Sequence, residues 1–354
     1  MRIGLYRHPA RLAGGGSMAK PRLFVTRQLP GDALGRLGEY YDVSVWEKYQ
    51  APPYEVLLEE ARRSDALVTL LTDRVDCNLI SSSPRLRIVA QYAVGYDNID
   101  LDCATRHGVY VTNTPGVLTE ATAELTWALI LAAARRIVEA DRFVRSGEWF
   151  KTGTGWHPMM LLGVELYGKT LGIIGMGRIG RAVARRAQGF GMRVIYYDKK
   201  RLPPEEESRL NATYTPLERL LEEADVISIH TPLTPETENL INRERLARVK
   251  KGAILVNTAR GRIVDLDALV EALREGRLAA AGLDVFPQEP LPPDHPITKL
   301  DNVVLAPHIG SATWETRTRM ADLVAENLIA FYKGQVPPTL VNRDVVKVRP
   351  PGFG

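Results

Sequence analysis

The stretch Leu171-Gly-Ile-Ile-Gly-Met-Gly-Arg-Ile-Gly180 restricts the possible folds most, because a short apolar run leads directly into Gly175, Gly177 and Gly180 at G-x-G-x-x-G spacing. Residues 171–174 read as a buried parallel strand. From Ile179 onward, Ile179, Val183, Ala187 and Phe190 recur at helical spacing on one face. The glycines therefore join strand to helix. Gly175 permits a tight turn, Gly177 lets backbone approach a pyrophosphate and Gly180 lets helix pack against strand. The exposed N–H groups at the helix start, from Arg178, Ile179 and Gly180, attract the anion. A second apolar run, 194–197, ends at Asp198, where a carboxylate would accept the hydroxyls of an adenosine ribose. Strand, turn, helix and acid together predict a dinucleotide-binding unit.

That unit cannot fill the chain. With 354 residues, two domains are expected. Short β-rich runs at 23–26, 43–46, 66–71, 86–90 and 109–112 alternate with helical stretches at 54–63 and 98–107, which is α/β periodicity. Thr119 then opens a long Ala- and Leu-rich helix expected to run from 120 to about 146. Beyond the glycine motif, further strands are expected at 226–230, 253–258, 280–285 and 303–306, with helices at 265–275 and 312–332. Thr215-Pro-Leu-Glu218 reads as a capping box. The glycine motif lies near mid-chain, so the fold class predicted is α/β with two Rossmann-like domains. A dinucleotide-binding domain, 119–306, is inserted in a discontinuous flavodoxin-like domain, 18–118 with 307–340, which takes the substrate. Residues 341–354 are expected to form a C-terminal tail, and two chain crossings would make a hinge.

The charge and cysteine content exclude several classes of function. A net charge of +4 is spread among interspersed acids and bases, so nucleic-acid binding is not indicated. No run approaches the ~20 apolar residues of a membrane span; the longest, 123–134, is interrupted by Glu124. Residues 1–17 carry Arg2, Arg7 and Arg11 without an apolar core, and end in Gly14-Gly-Gly-Ser17 before Met18. They read as an extension outside the fold rather than a secretory signal. Cys77 and Cys103 are the only cysteines, expected as free thiols in a reducing cytoplasm. No metal site is expected, since His157 and His295 lack metal-type spacing with other ligands.

In a doubly wound sheet, ligands bind outside the carboxyl ends of the strands. Arg260, Glu289 and His308 each follow a predicted strand. An arginine fork suits an α-keto acid carboxylate, histidine can donate a proton to the keto oxygen, and glutamate can keep that histidine protonated. Taken singly, Arg260 is equally a surface cation, Glu289 a solvated turn acid and His308 a bridge between backbone groups. Their neighbours Thr258, Ala259, Asp284, Ile309 and Gly310 are assigned to the cofactor. His230 and Pro232, at another strand end, join them, although a structural histidine accounts for His230 equally well.

These residues also carry a family resemblance. Gln91-Tyr-Ala-Val-Gly-Tyr-Asp97, Thr112-Asn-Thr-Pro-Gly116, the glycine motif, Val256-Asn-Thr-Ala-Arg-Gly261, Gly282-Leu-Asp-Val-Phe286 and Leu305-Ala-Pro-His-Ile-Gly310 resemble the D-isomer-specific 2-hydroxy-acid dehydrogenases. Within that family the likeness is greatest to the archaeal glyoxylate reductases, from about residue 20 to 342. The resemblance implies that Arg260 binds substrate, Glu289 pairs with the histidine and His308 is the acid/base. It implies that the backbone amides of Val94 and Gly95 meet the substrate carboxylate. It also implies a homodimer in which Trp156 reaches the partner's substrate pocket, although simple interface packing explains Trp156 as well. The implied reaction is hydride transfer from a reduced nicotinamide to glyoxylate or hydroxypyruvate, giving glycolate or D-glycerate.

Cofactor choice is where the chain departs from these relatives, which often carry a small polar residue and then arginine after the second strand. Here the run is Asp198-Lys-Lys-Arg201. Asp198 repels a 2′-phosphate and favours NAD, whereas Lys199, Lys200 and Arg201 can attract one; NADH is expected, with some NADPH use. Among alternatives, phosphoglycerate dehydrogenases often append a regulatory domain, for which this chain ends too soon after 340. Formate dehydrogenases have glutamine where Glu289 stands. A D-lactate-type enzyme and a nucleotide-sensing corepressor of the same fold stay open.

Overall fold

The computed structural model describes residues 5–7, by backbone, and 19–354. The chain divides into two units, Met1–Leu118 with Ala312–Gly354, and Thr119–Ser311.

In the first unit the strands are β1 (Leu5–Arg7), β2 (Arg22–Val25), β3 (Asp42–Trp46), β4 (Ala66–Thr69), β5 (Ile88–Gln91) and β6 (Tyr110–Thr112). Their order is β1-β3-β2-β4-β5-β6, and β2 to β6 are all parallel. From β2 onward this is the flavodoxin-like winding, in which the chain reverses direction between β2 and β4. Alternate residues feed two apolar layers: Leu23 and Val25 enter one with the helix Trp314–Tyr332, and Phe24 enters the other. β1 runs antiparallel to β3, so residues 5–7 join the sheet instead of lying outside the fold. The edge of β3 presents unpaired N–H and C=O groups that any extended segment can satisfy. The rest of 1–17 lies outside the described residues. The stretch after 340 is also packed, with Phe353 edge-on to Tyr41 and Phe331, and the Asn342 carboxamide bonded to the Val111 and Val109 backbone.

Cys77 and Cys103 form a disulfide, which corrects the expectation of free thiols. Each begins or lies in a short helix, Cys77–Ser81 and Leu101–Arg106, N-capped by Asp76 and Asp100. The packing of these helices brings the two Cα atoms to 5.5 Å, within the span a disulfide needs. The cluster Cys77, Asp100 and Cys103 is the one group of metal-type ligands among the described residues, and its two sulfurs are already bonded to each other.

The second unit holds β7 (Thr170–Ile174), β8 (Arg193–Tyr197), β9 (Ala212–Tyr214), β10 (Val226–Ile229), β11 (Ala253–Asn257), β12 (Leu278–Leu283) and β13 (Val303–Leu305), all parallel. Their order is β13-β12-β11-β10-β7-β8-β9, so the chain winds outward both ways from β7. β7 is wholly buried, with Leu171 and Ile173 facing one core and Ile174 the other. Two expectations fail here for local reasons. The long helix stops at Ala134, because Arg136 adopts a left-handed conformation (φ 56°) before a second helix, Ile137–Arg145. The capping box does not form, because the Thr215 hydroxyl donates to the Thr213 carbonyl and Glu218 pairs with Arg245. No helix among the described residues is long and apolar enough to cross a membrane.

Candidate active site

The carboxyl ends of β7 and β10 mark the switch point of the second unit, where the glycine turn sits. Gly175 has φ +95°, and a Cβ there would lie 2.6 Å from the His230 carbonyl carbon. Only glycine brings these two loops together. At Gly177, in contrast, a Cβ would meet nothing within 4 Å, so the space over the turn is open. Gly177 caps the helix Arg178–Ala187 without a side-chain acceptor, leaving the first N–H groups of that helix for an anion. Asp198 accepts the Met176 N–H at 2.7 Å and the Lys200 N–H at 3.1 Å, which braces the turn after β8 against the glycine turn. Ile179 packs into the apolar layer beneath. Open space, an uncapped helix start and an anchored acid fit the pyrophosphate and ribose of a dinucleotide.

Around the same edge, His230 bonds through Nε2 to the buried Ser228 hydroxyl at 2.7 Å. Burial pushes its pKa down to about 3, so the ring is neutral at neutral pH. Pro232 accepts the Thr237 hydroxyl through its carbonyl, holding the loop after β10. Thr258, after β11, shares a hydrogen bond of 2.9 Å with Thr126. Asn257 turns the chain at Ala259 and Arg260 by accepting the Ala259 N–H and donating to the Arg260 carbonyl. Gly261 lies so close to the Phe286 backbone that no side chain fits between them, which sets the β11 loop against the β12 loop.

On the β12 and β13 loops, His308 Nδ1 is 2.7 Å from Glu289 Oε2, and Glu289 Oε1 accepts the Phe286 N–H at 2.9 Å. Burial opposes the charge on Glu289, but the hydrogen bond and charge of His308, the Phe286 amide and the nearby Arg260 outweigh it. They hold its carboxyl below the usual range. An ionised Glu289 requires the proton on His308 Nδ1, leaving Nε2 as the nitrogen that can exchange a proton with substrate. His308 has φ +56°. The buried Asp284 fixes this conformation: its carbonyl accepts the His308 N–H, and its carboxylate oxygens accept the N–H groups of Ile309 and Gly310 at 2.7 and 2.8 Å. Burial pushes the Asp284 carboxyl up despite these donors.

The chain as a whole has known relatives. The model of the D-isomer specific 2-hydroxyacid dehydrogenase NAD binding domain matches residues 127–310. The chain belongs to the D-isomer-specific 2-hydroxyacid dehydrogenase family. A glyoxylate reductase of Aeropyrum pernix is 67% identical over 95% of this chain and 100% of its own. A protein of Thermus thermophilus of known structure is 51% identical, with a TM-score of 0.85 over 90% of this chain and 99% of its own. The NADPH-dependent glyoxylate/hydroxypyruvate reductase of Sinorhizobium meliloti, solved with NADP and malonate, is 34% identical, with a TM-score of 0.81 over 91% and 97% of the two chains. As a dehydrogenase of this family, the protein uses a nicotinamide cofactor.

The structure joins Glu289 to His308 within one unit and places Trp156 in an exposed loop of the same unit. Val94 and Gly95 lie in the first unit, in the loop after β5. Their carbonyls accept from Asn113 and Gln91, and their N–H groups donate no hydrogen bond among the described residues. Sequence reasoning missed the Met176 amide on Asp198, the Ser228 partner of His230, and Glu207 and Glu236, which pair with Arg201 and Lys199. The acidic run 205–207 after Pro203-Pro204 was the available signal for Glu207.

Proposed function

We propose that this dehydrogenase reduces glyoxylate to glycolate, and hydroxypyruvate to D-glycerate, with NADH as the preferred cofactor. The observation that carries the reading is the His308–Glu289 pair of 2.7 Å past the carboxyl ends of β12 and β13, on the same edge of the parallel sheet as the glycine turn. The names of the relatives, glyoxylate reductase in Aeropyrum pernix and glyoxylate/hydroxypyruvate reductase in Sinorhizobium meliloti, support the substrate.

Arg260 is the group that holds the carboxylate of the keto acid, since its planar fork matches two carboxylate oxygens. The N–H groups of Val94 and Gly95, which donate no hydrogen bond among the described residues, are proposed as further carboxylate donors, for their carbonyls are turned to Asn113 and Gln91. When bound, the reduced nicotinamide supplies the hydride for the carbonyl carbon. His308 gives its Nε2 proton to the carbonyl oxygen, and Glu289 stabilises the imidazolium before transfer. In the reverse direction His308 takes the proton from the hydroxyl. Arg178, Ile179 and Gly180 amides, with Asp198, Thr258, Ala259, Ile309 and Gly310, are proposed to line the cofactor.

The preference for NADH follows from Asp198, whose charge opposes a 2′-phosphate. A homodimer is part of this reading, as is a role for Trp156 in it. The cytoplasm is proposed as its place, where a nicotinamide pool turns over. Absorbance decay of NADH over a panel of glyoxylate, hydroxypyruvate, pyruvate and longer 2-keto acids tests the substrate. Glyoxylate is expected to give the highest kcat/KM, and faster turnover of pyruvate would overturn the reading in favour of a D-lactate-type enzyme.

A further inference from the structure

The turn after β8 puts three cations next to Asp198, and the surrounding acids decide whether those cations are available. Arg201, three residues past Asp198, donates Nε and Nη2 to the two oxygens of Glu207, at 2.9 Å each. Its guanidinium also lies over the Tyr214 ring, 5.8 Å from the centroid. Glu207 is the better anchored partner, with a side chain 12% exposed against 64% for Arg201. Its Oε1 accepts the Tyr196 hydroxyl at 2.7 Å, and that hydroxyl accepts the Leu202 N–H at 2.9 Å. Glu207 rides on the helix Pro204–Leu210, whose start is set by two prolines. On the other side of β7, the Lys199 ammonium is 3.6 Å from Glu236, in the loop after β10.

A bidentate guanidinium cannot give the same two donors to a second anion. The remaining N–H groups of Arg201 belong to a cation that Glu207 already neutralises and orients; to turn its bidentate edge to a 2′-phosphate, Arg201 would have to leave Glu207, whose carboxylate Tyr196 holds in place. The phosphate would also meet Asp198. The Lys199–Glu236 pair is fully solvated and restrains its cation far less.

We infer that Glu207 is a positioning residue for cofactor choice: by holding Arg201 it withholds the strongest phosphate ligand of the turn and lets the dinucleotide with a free 2′-hydroxyl win. The inference rests on the proposed NADH preference and supplies a cause for it beyond Asp198.

The test is calorimetric titration of NADH and of NADPH into the wild-type enzyme, E207Q, E207D and the double variant E207Q/R201Q. Glutamine keeps an acceptor for Tyr196 while releasing the charge pair. E207Q is expected to tighten NADPH about tenfold, the value of one charge-assisted contact, while NADH affinity stays within about twofold. The double variant should lose that gain, and E207D, which keeps the charge, should stay with the wild type. A purely structural role for Glu207 would weaken both cofactors together. NADPH affinity that is unchanged or lower in E207Q overturns the inference, as does a gain that survives in E207Q/R201Q. Tighter NADPH than NADH in the wild type overturns the NADH reading instead, and the E207Q response still judges Glu207.

Discussion

His308 occupies a backbone conformation that side chains other than glycine rarely adopt, at a cost of about 1 kcal/mol or more. Asp284 holds it there through three backbone N–H groups, and Glu289 fixes the ring, so the imidazole is aimed before substrate arrives. H308A should therefore lose about 10²- to 10⁴-fold in kcat with glyoxylate, the usual weight of a general acid. E289Q should lose less, since glutamine still accepts from Nδ1 without stabilising the charge. Near-normal turnover in H308A would remove the assignment. The depressed carboxyl of Glu289 gives a second reading of the same pair. Because the folded group ionises below its usual 4.5, its contribution to folding is complete above that pH and disappears as pH falls through the lower folded value. The stability difference between wild type and E289Q in denaturant melts should shrink as pH falls below about 4.5. A difference that already shrinks near pH 6 would contradict the shift.

At the scale of elements, the disulfide and the broken helix at Arg136 were harder to read than the strands. The disulfide closes 26 residues of sequence between the helices Cys77–Ser81 and Leu101–Arg106. By the loop-entropy estimate it stabilises the first unit by about 3.5 kcal/mol. C77S, or treatment with a strong reductant, should lower stability by about that amount in guanidinium melts. Equal midpoints with and without reductant would show that the bond contributes nothing. Two cysteines without a framework spacing give no sign of pairing, because the pairing depends on helix packing rather than on sequence distance. The broken helix at Arg136 is similar. An Ala- and Leu-rich pattern continues through 134 into an amphipathic one, and periodicity alone does not report a single left-handed residue between them. The glycine turn was legible for the opposite reason: its demands are local, a positive φ at Gly175 and a Gly180 packed directly against the Gly175 carbonyl, and glycine alone meets them.

For the whole molecule, the segment after the broken helix leaves an unusual amount of apolar surface uncovered. Phe150 is 91% exposed and Trp156 76%, with Met159, Leu162 and Tyr167 also exposed. Exposed apolar surface of this extent is typical of a surface that associates with a partner. Light scattering should return twice the 39.3 kDa chain mass, and a monomer would refute the proposed homodimer. What the amino-acid sequence determined by itself was the alternation of strands and helices, the strand-turn-helix that takes a dinucleotide, and the placing of Arg260, Glu289 and His308 just past strands. Each follows from short-range periodicity or from the steric freedom of a few residues. The tertiary structure decided which side chains meet. Glu289 finds His308 because β12 and β13 pair in parallel and end together, Cys77 finds Cys103 through packed helices, and Arg201 is claimed by Glu207 rather than left for a phosphate. Those partners are set by sheet register and helix docking, which act between residues that no local pattern connects.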